Sequence, residues 1–184
     1  MRLSLARNII VEGIKKNVAQ TLKKPITFHL EGSMGIGKTA LARQIADDLG
    51  FYLVIVSLPQ LEPTDIGGMR MPKGDRMIVL QPDWYVDAEQ MAKLKAEGYK
   101  GVLYFFDELP QAPILNQNIY AQIADEYRIG DYKLDRTECY VMSAGNKLSD
   151  KAGTNAMPSH LIDRLTFLEI EPNLDDTCNY FAKT

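Results

Sequence analysis

The chain has 184 residues, 46% hydrophobic and 24% charged, with a net charge of −3. That length supports one domain with a substantial core. The acidic balance gives no sign of a general nucleic-acid binder, although it leaves room for a local basic groove. Only Cys139, Cys178, His29 and His160 offer soft metal ligands, and their spacing fits no zinc motif. A reduced thiol pair is the plainer reading. The longest apolar run, Phe51 to Leu58, is far too short to span a bilayer, and no signal-type stretch opens the chain. These features predict a cytoplasmic protein without membrane contact.

Residues 3–22 predict an amphipathic helix. Ile10, Ile14, Val18 and Leu22 recur every four residues, and Lys23-Lys24-Pro25 ends the pattern. Ile26 to Leu30 reads as the first core strand. Gly32-Ser33-Met34-Gly35-Ile36-Gly37-Lys38-Thr39 follows and fits G-x-x-x-x-G-K-[ST] at every fixed position. A helix then runs from Ala40 to Leu49, with Leu41, Ile45 and Leu49 on one face and Gly50 as its stop.

The strand–loop–helix context gives the glycine-rich motif its chemistry. Glycines let the backbone wrap phosphate oxygens, and successive N–H groups with the helix N-terminus supply positive potential. Gly32 to Thr39, with Ala40 beside them, are the candidate nucleotide-binding residues. Lys38 is expected to reach the β- and γ-phosphates, and the Thr39 hydroxyl to bind Mg²⁺.

Phe51 to Leu58 predicts a parallel strand covered on both faces. The next stretch is irregular, with Arg70-Met71 and Met77 to Leu80 predicting a hairpin about Lys73-Gly74-Asp75. A polar helix is expected over 87–97, ending at Gly98. Val102 to Phe106 is a third core strand. Pro113 opens a helix whose expected buried face is Leu115, Ile119 and Ile123. Tyr127 to Leu134 predicts a small hairpin turning at Gly130-Asp131. Cys139 to Ser143 and Leu165 to Ile170 are the last two strands. Strands alternating with helices predict an α/β fold with a five-stranded parallel sheet in three layers, a P-loop NTPase, plus β-hairpin insertions.

Asp107-Glu108 follows directly on the apolar strand 102–106. Two carboxylates at the end of a hydrophobic strand are costly without a partner, and a hydrated metal is one. This pair resembles the Walker B element of P-loop ATPases, in which the first carboxylate holds Mg²⁺ and the second activates the attacking water. Asn146, after the strand 139–143, stands where AAA+ proteins carry a polar sensor of the γ-phosphate. The alternative is a turn asparagine. Arg164, just before the last strand, stands where AAA+ proteins often carry an arginine finger for the neighbouring subunit. Its alternative is a salt bridge to Asp163 or Glu169.

Together Gly32–Thr39, Leu61–Gly68, Gln81–Trp84, Asp107–Pro113, Tyr127–Leu134, Ala144–Asn146 and Pro158–Arg164 resemble the MoxR-type AAA+ ATPases, particularly the small branch of bacteria and their phages. The resemblance implies a core over 1–172 and, over 173–184, the start of a helical lid that is truncated or absent. It implies ATP hydrolysis with Mg²⁺ and a self-assembled ring, commonly a hexamer, that remodels a partner protein in a chaperone-like way. A von Willebrand A-type partner often accompanies such proteins. Two insertions, at 67–86 and 127–134, are expected to face a pore or partner; Met69, Met71 and Trp84 are then contact residues, or else they pack the domain's own flank. Glu108, Asn146 and Arg164 are the candidate catalytic residues, with Thr39 and Asp107 as metal ligands. The rival readings are a nucleotide-gated assembly module with little hydrolysis, a small-molecule P-loop kinase and a nucleic-acid-associated ATPase.

Overall fold

A computed structural model describes residues 1–130, 132–147 and 155–173. The expected lid, from residue 174 on, and the turn residue Asp131 lie outside the described residues. A five-stranded, wholly parallel sheet forms the centre. Its strands are β1 (Thr27–Glu31), β2 (Phe51–Ser57), β5 (Gly101–Asp107), β8 (Cys139–Gly145) and β9 (Leu165–Glu169). They lie in the order β2-β5-β8-β1-β9. β5 and β8 are buried along their whole length except at Asp107, which explains their unbroken apolar sequence.

Helices cover both faces. On one side α1 (Leu3–Val18) and α2 (Lys38–Leu49) pack Ile10, Ile14, Leu41 and Ile45 against Phe28, Leu30, Leu103 and Phe105. On the other, α4 (Ala88–Ala96), α5 (Ile114–Glu126) and the short α6 (Ser159–Ile162) pack Met91, Tyr120, Ile123 and Leu161 against Tyr104, Phe106 and Val141. Gly50 ends α2 at φ 67°, as the sequence predicts.

Four local expectations need correction. α1 stops at Val18 rather than near residue 22. Gln20 turns left-handed, and the Asn17 amide donates to the Ile26 carbonyl at 2.9 Å while accepting its N–H at 3.1 Å, steering the chain into β1. β2 is an edge strand rather than one covered on both faces, with Tyr52 and Ile55 exposed. Leu115 is exposed, and α5 instead buries Asn116 and Gln117. Asn116 donates to the carbonyls of Leu58 and Leu61, and Gln117 donates to that of Ala112, so polar side chains on this face tie down loops. Pro113 is the residue before the helix rather than its first turn.

Both hairpins form. The short α3 (Pro63–Gly67) leads into the larger one, in which β3 (Met69–Lys73) pairs with β4 (Arg76–Leu80). In the smaller, β6 (Arg128–Ile129) pairs with β7 (Tyr132–Lys133). The larger hairpin sits on the smaller: the Tyr132 hydroxyl donates to the Val79 carbonyl at 2.6 Å, and Val79 packs beside Gly130. The opposite face of the larger hairpin leaves Met69, Met71 and Leu80 exposed. Trp84 follows the second of its two readings, packing on the domain's own flank. It packs edge-on against Tyr104 and Phe106, and its indole donates to the Asp65 carbonyl at 2.9 Å, so it anchors the insertion to the core.

Removing the Tyr132 hydroxyl leaves the Val79 carbonyl without its donor. Tyr132→Phe is expected to cost about 1 kcal/mol and to speed amide exchange over 76–80. Unchanged exchange in that segment would show that the hairpin is held otherwise.

Candidate active site

Parallel strands bring their C-terminal ends to one edge of the sheet, where open α/β folds place ligands. Register does the rest. Ser57 lies beside Asp107, Phe106 beside Ser143, and Glu31 beside Gly145. The phosphate loop leaves β1 at Gly32, whose N–H donates to the Gly145 carbonyl at 3.3 Å. Gly35 and Gly37 adopt φ 76° and 98°, values that favour glycine, and Gly37 caps α2.

The structure gathers Lys38, Thr39, Asp107, Glu108 and Asn146 at this edge. Lys38 is only 8% exposed. Its ammonium donates to the carbonyls of Gly32 at 2.6 Å and Ser33 at 3.0 Å, and to Asn146 Oδ1 at 3.0 Å. One cation thus joins the phosphate loop to the end of β8. The Thr39 hydroxyl donates to Asp107 Oδ2 at 2.9 Å. A hydroxyl and a carboxylate side by side form an all-oxygen donor pair, which suits Mg²⁺. Among the described residues no three His, Cys, Asp or Glu side chains cluster to form a protein-only metal cage.

Glu108 faces elsewhere. Its backbone is left-handed at φ 58°, and its N–H donates back to Asp107 Oδ1 at 2.9 Å. This conformation, costing about 1–2 kcal/mol for a residue other than glycine, lets the Glu108 carboxylate accept the Ser57 hydroxyl at 3.1 Å. The adjacent carboxylates therefore have different partners, since Asp107 meets Thr39 and Glu108 meets β2. Ser57 carries no motif that marks it in the sequence. Its one signal is a polar residue closing an apolar strand.

Close packing fixes the spacing between the two halves of this edge. After Glu108 the chain makes a tight turn over Leu109–Gln111. Pro110 lies so near Gly145 that a Cβ there would stand 2.1 Å from the proline Cδ. Beneath lies His29, fully buried, with Nδ1 2.9 Å from the Ser143 hydroxyl. Burial, and secondarily the Lys38 charge, lower its pKa from 6.5 to about 3. The ring is therefore neutral at physiological pH. Burial likewise pushes the Cys139 thiol up to about 12, an unreactive thiol.

Arg164 is not part of this cluster. β9 begins beside Thr27, at the foot of β1, so Arg164 sits about 13 Å of strand away from the loop. It pairs with neither Asp163 nor Glu169 but with Asp125, Nε to Oδ2 at 3.0 Å.

Comparison with known proteins bears on the fold. Residues 28–111, somewhat under half of the chain, match the family described as "ATPase family associated with various cellular activities (AAA)". A candidate ATPase from Cytophaga hutchinsonii shares the fold at TM-score 0.58 and 18% identity, covering 95% of this chain and 49% of that one. Hsp104 in its closed state with ATPγS and FITC-casein aligns at TM-score 0.60 and 16% identity, covering 92% of this chain and 33% of that one. A tRNA dimethylallyltransferase from Methylacidiphilum infernorum is 37% identical over 70 residues, which are 37% of this chain and 21% of that protein. The chain therefore spans half or less of the length of each of these proteins. What these likenesses define is the fold, the α/β fold of P-loop NTPases. Within it, the chain combines that five-stranded parallel sheet with two antiparallel hairpins. No helix among the described residues is long and apolar enough to cross a membrane.

The packing at this edge has two measurable consequences. Gly145→Ala forces Pro110 and β8 apart, and is expected to cost about 1–3 kcal/mol; an unchanged urea midpoint would contradict the close approach. The second concerns acid. The folded His29 pKa of about 3 lies below its unfolded value near 6.5. Folding therefore excludes a proton between those values, so this contribution is complete above pH 6.5 and is lost as pH falls toward 3. The slope is up to about 1.4 kcal/mol per pH unit. His29→Gln is expected to lose less stability than the parent protein between pH 7 and 4.5. Equal losses would remove His29 as a source of acid sensitivity.

Proposed function

We propose that the chain is an ATPase, hydrolysing ATP to ADP and phosphate at the edge of the sheet bearing Gly32–Thr39. The single observation carrying this reading is Lys38 held between the phosphate loop and Asn146, with Thr39 and Asp107 in contact beside it. The triphosphate lies along the loop N–H groups of residues 32–39 and the start of α2, with Ala40 in the first turn. Lys38 meets the β- and γ-phosphates. Thr39 and Asp107 hold Mg²⁺, which supplies charge neutralisation across the phosphates when bound. Glu108 accepts a proton from the attacking water once its carboxylate leaves Ser57. Asn146 orients that water or the γ-phosphate. The leaving group is ADP, and electrostatic positioning rather than covalent catalysis lowers the barrier.

Arg164 acts on the neighbouring subunit's nucleotide. Its place at the foot of the sheet supports this, since it is too far from its own loop to serve there. A ring, by resemblance a MoxR-type hexamer, follows as the assembly that completes each site. The exposed Met69, Met71 and Leu80 then form an adaptable surface for a remodelled partner, a von Willebrand A-type protein being the kind that accompanies such ATPases. Trp84 is excluded from that surface by its packing. A cytoplasmic location accords with the free, buried Cys139. A nucleotide-gated scaffold that barely turns over is the second reading, favoured by the Ser57 bond that occupies Glu108.

Glu108→Gln is expected to retain ATP binding and to lose hydrolysis by at least about 100-fold. Steady-state turnover equal to that of the parent protein would remove Glu108 from the mechanism. Equal and very slow turnover in both, with a nucleotide-dependent rise in particle mass, would favour the scaffold.

A further inference from the structure

Two of the three guanidinium nitrogens of Arg164 are held. Nε donates to Asp125 Oδ2 at 3.0 Å, and Nη1 donates to the His160 carbonyl at 2.7 Å. Nη2 has no hydrogen-bond partner among the described residues. The side chain stands in the wall of an open cleft of about 490 Å³, which Lys24, Asp125, His160 and Asp163 also line. An arginine has five N–H donors in a rigid fork. Here its own subunit takes Nε and Nη1, and among the described residues Nη2 is left without a partner.

The two groups that grip Arg164 are themselves anchored. Asp125 belongs to the last turn of α5. That turn is pinned to the foot of β1 by the buried Thr27 hydroxyl, which donates to the Ala124 carbonyl at 2.9 Å. Just beyond, Tyr127 is buried, and its hydroxyl accepts the Val141 N–H at 3.3 Å. His160 lies on α6, whose Leu161 is fully buried. The guanidinium is thus clamped between two fixed helix ends.

A pair in which each partner is about one-third exposed adds little to folding. Its effect is geometric. A free arginine loses much rotamer freedom when it docks on a phosphate, and prior fixation removes part of that cost.

We propose that Asp125 is a positioning residue for Arg164, presenting the Nη2 end of the guanidinium to the phosphate bound by an adjacent subunit. The proposal rests on the reading of Arg164 as acting in trans. Asp125 touches no substrate; it acts through the arginine. It also ties two sites together in one subunit, because α5 begins six residues after Glu108 and spans about 20 Å to reach Arg164.

The test uses the full chain as parent protein, Asp125→Asn, Arg164→Ala and the double variant. Two quantities are read: steady-state ATP hydrolysis, and affinity for ADP with aluminium fluoride, a transition-state mimic that remains measurable when turnover is slow. Asp125→Asn keeps the size and loses the charge. It is expected to lower kcat about 10-fold with KM and ATPγS affinity unchanged, and to weaken the fluoride complex by a similar factor. Combined with Arg164→Ala it is expected to add no further loss. Equal losses from Asp125→Asn in both backgrounds would mean a general structural role and overturn the proposal. So would an unchanged or raised kcat and analogue affinity in Asp125→Asn where Arg164→Ala lowers both; the trans reading would then stand alone. Parent-like values in Arg164→Ala would remove the trans reading and this proposal with it.

Discussion

The ammonium of Lys38 is nearly buried, and a buried charge persists only where polar groups surround it. Here those groups are the Gly32 and Ser33 carbonyls and the Asn146 side chain. The first two belong to the loop after β1, the third to the end of β8. Their meeting requires β1 and β8 to be neighbours in parallel register, and it requires Gly145 to lie bare beneath Pro110. The strand order, the glycine and the asparagine are thus conditions on one contact. Around it, the neighbouring strand ends deliver Asp107 and Ser57 at fixed spacing.

The motifs of the phosphate edge were legible in sequence because each rests on local chemistry. Gly35, Gly37 and Gly50 sit where backbone conformation demands them. Val102–Phe106 is apolar because β5 is covered on both faces. What escaped was decided by tertiary partners. Phe51–Leu58 reads like β5 but lies at a sheet edge, which composition cannot reveal. Leu115 has helical spacing, yet loop carbonyls recruited Asn116 and Gln117 inward. Trp84 reads as a contact residue until Tyr104 and Phe106 are beside it. Ser57 and Asp125 carry no motif; each matters through a residue fifty-one and thirty-nine positions away.

The two ends of the sheet have different characters. At its C-terminal edge stand loop N–H groups, Lys38 and two separated carboxylates, which on the proposed reading make a site for a triphosphate. At its foot, Arg164 is held by Asp125 and the His160 carbonyl, about 13 Å of strand from the loop of its own chain. α5 runs between them. On the proposed reading, a single chain carries the two halves of a site that only a second copy can complete. That division explains why an arginine so far from the loop is clamped so carefully.

Subunit mixing tests this division most directly. Arg164→Ala supplies an intact Glu108 and phosphate loop; Glu108→Gln supplies an intact arginine. Each variant alone should hydrolyse little ATP. Mixed in equal amounts, they form interfaces at which one subunit's Glu108 faces the other's Arg164, and the account predicts that hydrolysis reappears there. Mixed assemblies with no more activity than the separate variants would contradict a site shared between subunits.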